Sequence, residues 1–319
     1  MGMPTLALKV ARRSQLTSDV ASFRLEHPEG LPLPSFAPGA HIDVHLTDDL
    51  VRQYSLCNDA GGADHYLIAV KRELNSRGGS KAMHSIREGS LLTVGLPRNN
   101  FPISDQASFH LLLAGGIGIT PLLSMARQLQ RDNKPFQLEY FSRSADCTPF
   151  YDVISAEMDA QAGFNIGLAP EDVRARLATI LRDRPKGAHV YVCGPSPFIK
   201  MATELASQNW PPESIHLEHF SPQQDIAQNN NRPFLVTLAQ SNRQFEVPAD
   251  KSILEVLRQN RIPCDSSCRE GVCGSCMVAV LEGEVDHRDS YLSPSEKEQG
   301  ELMMICVSRA KNGALKIDM

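Results

Sequence analysis

The segment Cys268-Arg-Glu-Gly-Val-Cys273-Gly-Ser-Cys276 spaces three cysteines as C-x4-C-x2-C, and a fourth, Cys306, follows in Met-Met-Ile-Cys-Val. This is the spacing of plant-type [2Fe–2S] sites, in which each iron takes two thiolates. A short loop can supply three thiolates only if its backbone bends sharply, and Gly271 and Gly274 permit such bends. The pattern predicts a [2Fe–2S] cluster on these four cysteines, with loop amides facing the sulfurs and Cys306 at the end of a buried strand.

Zinc is the alternative occupant. A four-cysteine zinc site normally has two short Cys-x2–4-Cys pairs, whereas this segment has one Cys-x2-Cys pair, Cys273 and Cys276. Cys264 lies close by but outside the pattern, and we expect it to be a small, buried residue.

Composition narrows the class of protein. The chain has 319 residues, of which 42% are hydrophobic and 22% charged, with a net charge of −5. That balance is ordinary for globular domains and gives no indication of nucleic acid or an anionic membrane as a partner. The uncharged segment 109–126 is interrupted by Gly115, Gly116, Gly118 and Pro121, which favours a strand, a turn and a helix over a membrane span. The first residues alternate like a strand and lack a signal-type apolar core, so we expect a cytoplasmic protein.

The organisation along the chain predicts a multidomain protein with three fold classes. Residues 1–103 carry short alternating runs and predict an antiparallel β-barrel. Residues 104–222 alternate apolar strands with helical stretches and predict an α/β parallel-sheet domain. Residues 223–232 are polar and aperiodic and predict a linker. Residues 233–319 predict an α+β, ferredoxin-like (β-grasp) module with helices after the capping boxes at Ser252 and Ser293.

Two motifs in the barrel region suit a flavin phosphate. Arg52-Gln-Tyr54-Ser55 offers a cation, an aromatic ring and a hydroxyl on one strand. Gly78-Gly79-Ser80 opens a helical stretch and presents free amides. Taken alone, the first motif is also explained by a half-exposed strand, and the second by an ordinary helix cap.

Two motifs in the second region suit a nucleotide. Gly115-Gly116-Ile-Gly118-Ile-Thr120-Pro121 follows a buried strand and lets the backbone approach a pyrophosphate. It differs from the dinucleotide fingerprint because Pro121 stands where the third glycine belongs. Cys193-Gly194-Pro195 ends a second buried strand, which we expect at the same edge of the sheet.

One further cluster does not predict a metal site. His41, Asp43 and His45 share one face of a strand, but the two histidines are then about 13 Å apart, too far for one zinc ion. We expect solvated positions on the barrel.

The combined order of these motifs resembles the phthalate dioxygenase reductase family, to which vanillate O-demethylase reductases belong. The resemblance covers essentially the whole chain. It implies that Arg52 binds the phosphate of FMN, that Tyr54 and Ser55 contact the isoalloxazine, and that Ala69, Val70 and Lys71 run past it. Gly78, Gly79 and Ser80 complete the phosphate site, Thr120 lies near the flavin and Phe220 covers the ring.

The same resemblance implies that the Gly115–Pro121 turn and Cys193, Gly194 and Pro195 bind the nicotinamide nucleotide, with Cys193 near the ring. Ser55, Thr120 and Cys193 are then the residues expected to take part in the chemistry. NADH is preferred over NADPH on the same ground, although Arg143 stands where an arginine could meet a 2′-phosphate.

The implied function is an NADH-dependent reductase that passes electrons through FMN and the [2Fe–2S] cluster to a Rieske non-haem-iron oxygenase or demethylase acting on an aromatic or similar small substrate. A monomer is expected. The alternatives are a reductase with the same cofactors for a diiron or haem oxygenase, and a redox sensor without a catalytic role.

Overall fold

The computed structural model describes residues 4–47, 50–61, 64–74, 76, 78–221 and 231–319. Two compact units divide the chain, residues 4–218 and 219–319. Most of the predicted linker, residues 223–230, lies outside the described residues. None of the helices in the described ranges is long and apolar enough to cross a membrane.

The first part of the 4–218 unit is an antiparallel barrel, as predicted. Its six strands follow the order β4-β3-β6-β1-β2-β5. The two edge strands meet through a bridge between Leu56 and Ile68, so the barrel is nearly closed. Apolar side chains on alternating positions, such as Phe23, Ile42 and Tyr66, fill its core. The elements are β1 (Thr5–Gln15), β2 (Val20–Glu26), β3 (His41–Thr47), β4 (Leu50–Ser55), β5 (Tyr66–Lys71), α1 (Gly79–Ser85) and β6 (Leu91–Gly95).

His41 and Asp43 are buried in this barrel, so the prediction of solvated positions is wrong. The Asp43 carboxylate accepts hydrogen bonds from Arg98 at 2.6 Å and from Gln53 at 3.0 Å. Burial, followed by the charge of Arg98, lowers the pKa of His41 to about 4. Arg98 lies far away in sequence, which is why the strand pattern alone could not show that the aspartate is paired.

The second part of this unit is a parallel five-stranded sheet in the order β11-β10-β7-β8-β9. Its strands are near-continuous apolar runs because helices cover both faces. The elements are β7 (Phe109–Gly115), α2 (Ile119–Arg131), β8 (Phe136–Ser142), α3 (Tyr151–Met158), β9 (Ala162–Ile166), α4 (Pro170–Arg182), β10 (Ala188–Cys193), α5 (Ser196–Ala206) and β11 (Ile215–Glu218).

Helix α2 joins the sheet to the barrel. The Ser124 hydroxyl donates to the carbonyl of Asn58 at 2.9 Å, and the Arg127 guanidinium donates to that of Cys57 at 3.0 Å. Ala69 of the barrel shares a hydrophobic cluster with Ile119 and Leu122 of α2. The barrel and the parallel sheet are therefore held together by packing and by hydrogen bonds.

A stack of aromatic rings crosses one face of the parallel sheet. The ring centroids of Tyr191 and His216 are 4.5 Å apart, and those of His189 and His216 are 5.1 Å apart. His110 stacks on the other side of Tyr191. Burial, followed by the charges of His189 and His110, lowers the pKa of His216 to about 4, so the imidazole is neutral in the folded protein at pH 7.

The 219–319 unit is a β-grasp module, as predicted. Its five-stranded sheet follows the order β13-β12-β18-β14-β16, with β12 and β18 parallel. Both predicted capping boxes form, at Ser252 and Ser293. The elements are β12 (Phe234–Leu238), β13 (Arg243–Val247), α6 (Ile253–Gln259), β14 (Met277–Glu282), β15 (Val285–Asp286), α7 (Pro294–Gln299), β16 (Leu302–Met304), β17 (Arg309–Ala310) and β18 (Ala314–Ile317).

Candidate functional site

The residues predicted to bind the flavin come together at the seam of the barrel. Arg52, Tyr54 and Ser55 lie on β4, and Ala69, Val70 and Lys71 lie on β5, the other edge strand. Gly78 precedes α1 with a φ of 99°, a conformation that favours glycine. Gly79 stands directly against Arg52, because a Cβ there would lie 2.6 Å from the Arg52 Cγ.

The side chains of Ser80 and Lys71 at this seam already have partners within the protein. The Ser80 hydroxyl accepts from the Glu73 amide at 3.1 Å, and the Lys71 ammonium donates to the Glu73 carboxylate at 3.0 Å. Burial raises the pKa of Tyr54, so its phenol keeps its proton at neutral pH and can donate. The Arg52 guanidinium donates one hydrogen bond to the Val51 carbonyl at 2.8 Å, and a guanidinium carries five N–H groups, more than that bond uses, which suits it to a phosphate.

The glycine turn after β7 has the shape that a nucleotide needs. Gly116 has a φ of 53°, and a Cβ added there would meet nothing within 4 Å, so the backbone faces open space. The Tyr140 hydroxyl, on the neighbouring strand β8, donates to the Gly116 carbonyl at 3.0 Å and helps to hold the turn in place. A pyrophosphate approaching this turn would meet backbone and no side chain.

The two nucleotide motifs touch each other, as predicted. Strands β7 and β10 are parallel neighbours, with Ala114 opposite Cys193. A Cβ on Gly118 would fall against the Cys193 carbonyl and 2.6 Å from the Gly194 amide nitrogen. On the other side, a Cβ on Gly115 would lie 3.1 Å from Pro195. Glycine at position 118 therefore lets the two turns pack backbone to backbone, and glycine at position 115 leaves room for the side chains of Phe198 and Pro195.

Thr120 and Pro121 lie in the first turn of α2. Thr120 is buried, and its hydroxyl donates to the Ile117 carbonyl at 3.1 Å. Strand β5 of the barrel lies against the Gly116–Gly118 turn. The flavin seam and the nucleotide turn therefore form one continuous region of the 4–218 unit.

Glu218 is a further candidate for the site, and the sequence analysis missed it. Its Oε2 lies 4.0 Å from the Sγ of Cys193, on the neighbouring strand β11. Burial raises the pKa of Glu218 to about 8, and burial together with this carboxyl raises the pKa of Cys193 well above its ordinary value. Both groups are therefore mainly protonated at pH 7. No direct signal for it stands in the sequence, because Glu218 lies opposite Cys193 only once their two strands pair in the sheet.

Phe220 follows β11 by two residues and is exposed. It falls in the 219–319 unit, so its role over the flavin stays a prediction. Arg143 is exposed directly after β8, at the carboxyl edge of the sheet.

The four predicted cluster ligands are all buried, and they form two pairs. Cys268 hydrogen bonds with Cys273, and Cys276 with Cys306. The bond to the partner thiol lowers the pKa of Cys273 and of Cys276, and it raises that of Cys268 and of Cys306. Within the described ranges, no three His, Cys, Asp or Glu side chains surround one metal position. Two separate thiol pairs suit a two-iron cluster better than a single zinc ion.

The cysteine loop has the conformation that its glycines predict. Gly271 and Gly274 have φ values of 71° and 73°. The amide of Glu270 donates to the Cys268 sulfur at 3.3 Å, and that of Gly271 faces Cys306. Cys306 lies two residues beyond β16, in a turn and not at the end of a strand as expected. Cys264 is half-buried, which only partly agrees with the buried position expected for it.

Two family models match separate parts of the chain. The 2Fe-2S iron-sulfur cluster binding domain matches residues 236–311. The N-terminal domain of dimethylamine monooxygenase subunit DmmA-like proteins matches residues 95–215.

Similarity to individual proteins extends over the full length. The phthalate 4,5-dioxygenase oxygenase reductase subunit of Pseudomonas putida is 42% identical over 98% of this chain and 96% of its own. The structure of a phthalate dioxygenase reductase, described as modular for electron transfer from pyridine nucleotides to [2Fe-2S], is 39% identical, with a TM-score of 0.76 over 99% of this chain and 98% of its own. An intact type IV self-sufficient cytochrome P450 monooxygenase matches all of this chain with 42% of its own, at 34% identity and a TM-score of 0.86.

These matches confirm the predicted fold classes and the predicted cofactors, which are FMN, NADH and a [2Fe–2S] cluster. They also confirm that the protein is an oxidoreductase and that its partner is an oxygenase. The chain belongs to the phthalate dioxygenase reductase family and serves as the reductase component of an oxygenase system.

Proposed function

We propose that this protein takes a hydride from NADH in its 4–218 unit and delivers single electrons, through a cluster on Cys268, Cys273, Cys276 and Cys306, to a Rieske non-haem-iron oxygenase or demethylase. When bound, a flavin accepts electrons as a pair and gives them up one at a time, as a [2Fe–2S] cluster requires. The residues of the chain bind, orient and shield these groups.

At the barrel seam, Arg52 binds the flavin phosphate through its guanidinium donors. The absence of a side chain on Gly79 keeps Arg52 beside the amides of Gly78, Gly79 and Ser80. Tyr54 and Ser55 contact the isoalloxazine, and the backbone of Ala69, Val70 and Lys71 lines its edge. Arg52 and the Gly78–Ser80 amides would hold the phosphate, and Tyr54, Ser55 and the β5 backbone would hold the ring.

In the parallel sheet, Gly115, Gly116 and Gly118 receive the pyrophosphate, and Thr120 and Pro121 close the turn that faces β5. Cys193, Gly194 and Pro195 hold the nicotinamide end. Cys193 and Glu218 are neutral at pH 7, so this pair places no charge beside the nicotinamide end. Phe220 is proposed as the aromatic residue that covers the flavin ring.

The pairing of the four buried thiols is the observation that carries this function. It gives the chain a one-electron exit in addition to its two-electron entrance. Anaerobic titration with NADH, followed by absorption, tests the path. We expect about two NADH equivalents to bleach the flavin and iron–sulfur bands together. Bleaching of the flavin with an unreduced cluster would break the proposed route between them.

A Rieske acceptor is supported by the cluster type, because plant-type clusters lie near about −400 mV and Rieske centres start at about −150 mV. A haem oxygenase is the second candidate, since a related module forms part of a P450 monooxygenase. Reduction of purified Rieske oxygenases and P450s by the NADH-reduced protein, measured in parallel, separates the two acceptors.

We also propose that the protein is a cytoplasmic monomer. The described strands show no swapped or coiled-coil element, and all eight cysteines are free of disulfides, which fits a reducing compartment. The domain boundaries proposed are residues 1–103, 104–222 and 233–319 with a linker at 223–232. Sedimentation at micromolar concentration tests the monomer.

A further inference from the structure

Ser267 precedes the first predicted cluster ligand, Cys268, in the cysteine loop. Its side chain is buried, with only 5% of the residue exposed. Among the described residues, its Oγ has no hydrogen-bond partner. A buried hydroxyl without a partner costs about 1–3 kcal/mol, and most buried polar groups in folded proteins are satisfied. A group that is bound in the working protein is the natural partner for this hydroxyl.

The surroundings of Ser267 identify the chemistry of that partner. The neighbouring Cys268 sulfur receives the amides of Glu270 and Val272, and the Cys306 sulfur receives that of Gly271. The Ser275 side chain and the Cys273 sulfur lie 3.4 Å apart. The donors of this loop therefore converge on sulfur. Ser266, one residue earlier, is half-buried and can reach water instead.

We propose that the Ser267 hydroxyl donates a hydrogen bond to a sulfur of the [2Fe–2S] cluster and thereby raises the reduction potential of the cluster. The proposal rests on the cluster assignment made above. Reduction adds one electron and no proton to the cluster, so its sulfurs become more negative. A donor aimed at them stabilises the reduced form more than the oxidised form, and hydrogen bonds to cluster sulfurs are a recognised control of potential.

The test compares Ser267→Ala with Ser266→Ala in the full-length protein, by redox titration of the iron–sulfur absorption. Ser267→Ala should make the reduction equilibrium constant at least about threefold smaller, or about 30 mV at 59 mV per decade. Ser266→Ala should leave it unchanged. Resonance Raman spectra in D2O should show a deuterium shift of iron–sulfur bands that Ser267→Ala reduces. An unchanged potential in a Ser267→Ala protein with full cluster content would overturn the proposal.

Ser267→Thr and Ser267→Val provide a second comparison, because these side chains match in shape and differ by the hydroxyl. If Ser267→Ala does not hold a cluster, retention in the threonine variant and loss in the valine variant supports the donor role. Loss in all three variants contradicts it, since packing would then explain the effect. Cluster content is measured by absorption before any potential, so failure of the cluster assignment itself appears as absent iron–sulfur bands in the unmodified protein.

Discussion

The side chain of Arg52 lies across the α-carbon of Gly79, so that a methyl group on Gly79 would stand 2.6 Å from the Arg52 Cγ. The two residues come from different elements, strand β4 and the start of helix α1. The arginine proposed to bind the phosphate and the glycine turn proposed to bind it therefore contact each other directly.

Replacement of Arg52 by alanine should weaken FMN retention by about 2 kcal/mol, or roughly thirtyfold in Kd, because a charge-assisted contact to phosphate is lost. Flavin content after gel filtration measures the effect. Arg24→Ala is the matched control, since Arg24 is a barrel arginine that pairs with Glu26 and Asp64. Equal flavin content in the two variants would remove Arg52 from the phosphate site.

Alanine at Gly116 and at Gly118 should act differently. The methyl group of an alanine at Gly116 meets no neighbour but enters the space proposed for the pyrophosphate. The positive φ of this position costs an alanine about 1 kcal/mol. We expect the KM for NADH to rise about tenfold with little loss of Tm. At Gly118 it collides with the backbone of Cys193, so Tm should fall as well. A Gly118→Ala protein with unchanged Tm would contradict the close packing of the two turns.

Cys273→Ser should abolish the cluster and spare reduction of the flavin by NADH, because the ligand and the flavin seam lie in different units. Absorption spectra before and after anaerobic NADH addition measure both effects. Cys264→Ser is the control and should keep the iron–sulfur bands. Persistence of those bands in Cys273→Ser would show that Cys273 is not a ligand.

The pKa of Glu218, raised to about 8 by burial, predicts that the stability of the folded protein falls as pH rises. Between about pH 4.5 and 8 the folded state holds a proton that the unfolded state has released, so this carboxyl contributes less stability as pH rises. Glu218→Gln, which cannot ionise, should lose less stability than the unmodified protein between pH 6 and 8. Fluorescence of Trp210, the single tryptophan, reports unfolding of the parallel sheet around it. Identical pH profiles would contradict the buried, protonated carboxyl.

The lowered pKa of His216 predicts that stability rises with pH, the opposite of the effect of Glu218, and that it does so at lower pH. Its folded pKa of about 4 lies below the ordinary 6.5, so the unfolded chain binds the extra proton. Stability is fully present above about pH 6.5 and is lost as pH falls towards 4. His216→Phe keeps a ring in the stack and removes the titration, and it should lower the acid sensitivity of Tm by a few degrees. Trp210 fluorescence measures the Tm of both proteins across this pH range. If His216→Phe is as sensitive to acid as the unmodified protein, the histidine in the stack does not cause that sensitivity.

Strong local patterns predicted most elements. The capping boxes at Ser252 and Ser293 and the glycine turns formed as the sequence indicates because their hydrogen bonds are local. Strand β9 was not recognisable from the sequence, since it begins at Ala162, soon after helix α3 ends at Met158, and has no continuous apolar run. Gly163 weakened the strand pattern there, and the structure explains it: a Cβ on Gly163 would lie 2.6 Å from the Glu139 carboxylate.

In the candidate site, too, the sequence shows contiguous motifs but not contacts between distant residues. Cys193 and the Gly115–Pro121 turn were recognisable because each motif is contiguous. Glu218 and the burial of Asp43 depend on partners that only the folded chain brings close, namely Cys193 and Arg98. Sequence spacing carries no information about such pairs, and the pairs determine which ionisable groups are charged.

The four cysteines also have a consequence for assembly. Three of them lie within nine consecutive residues, and the fourth lies thirty residues beyond Cys276, across strands β14, β15 and β16. A cluster bound to all four therefore acts as an inorganic cross-link that closes a long loop, and loop closure of this kind stabilises a fold by restricting the unfolded chain. Loss of the cluster should therefore make this domain more open to unfolding and to proteolysis than the cluster-bound domain.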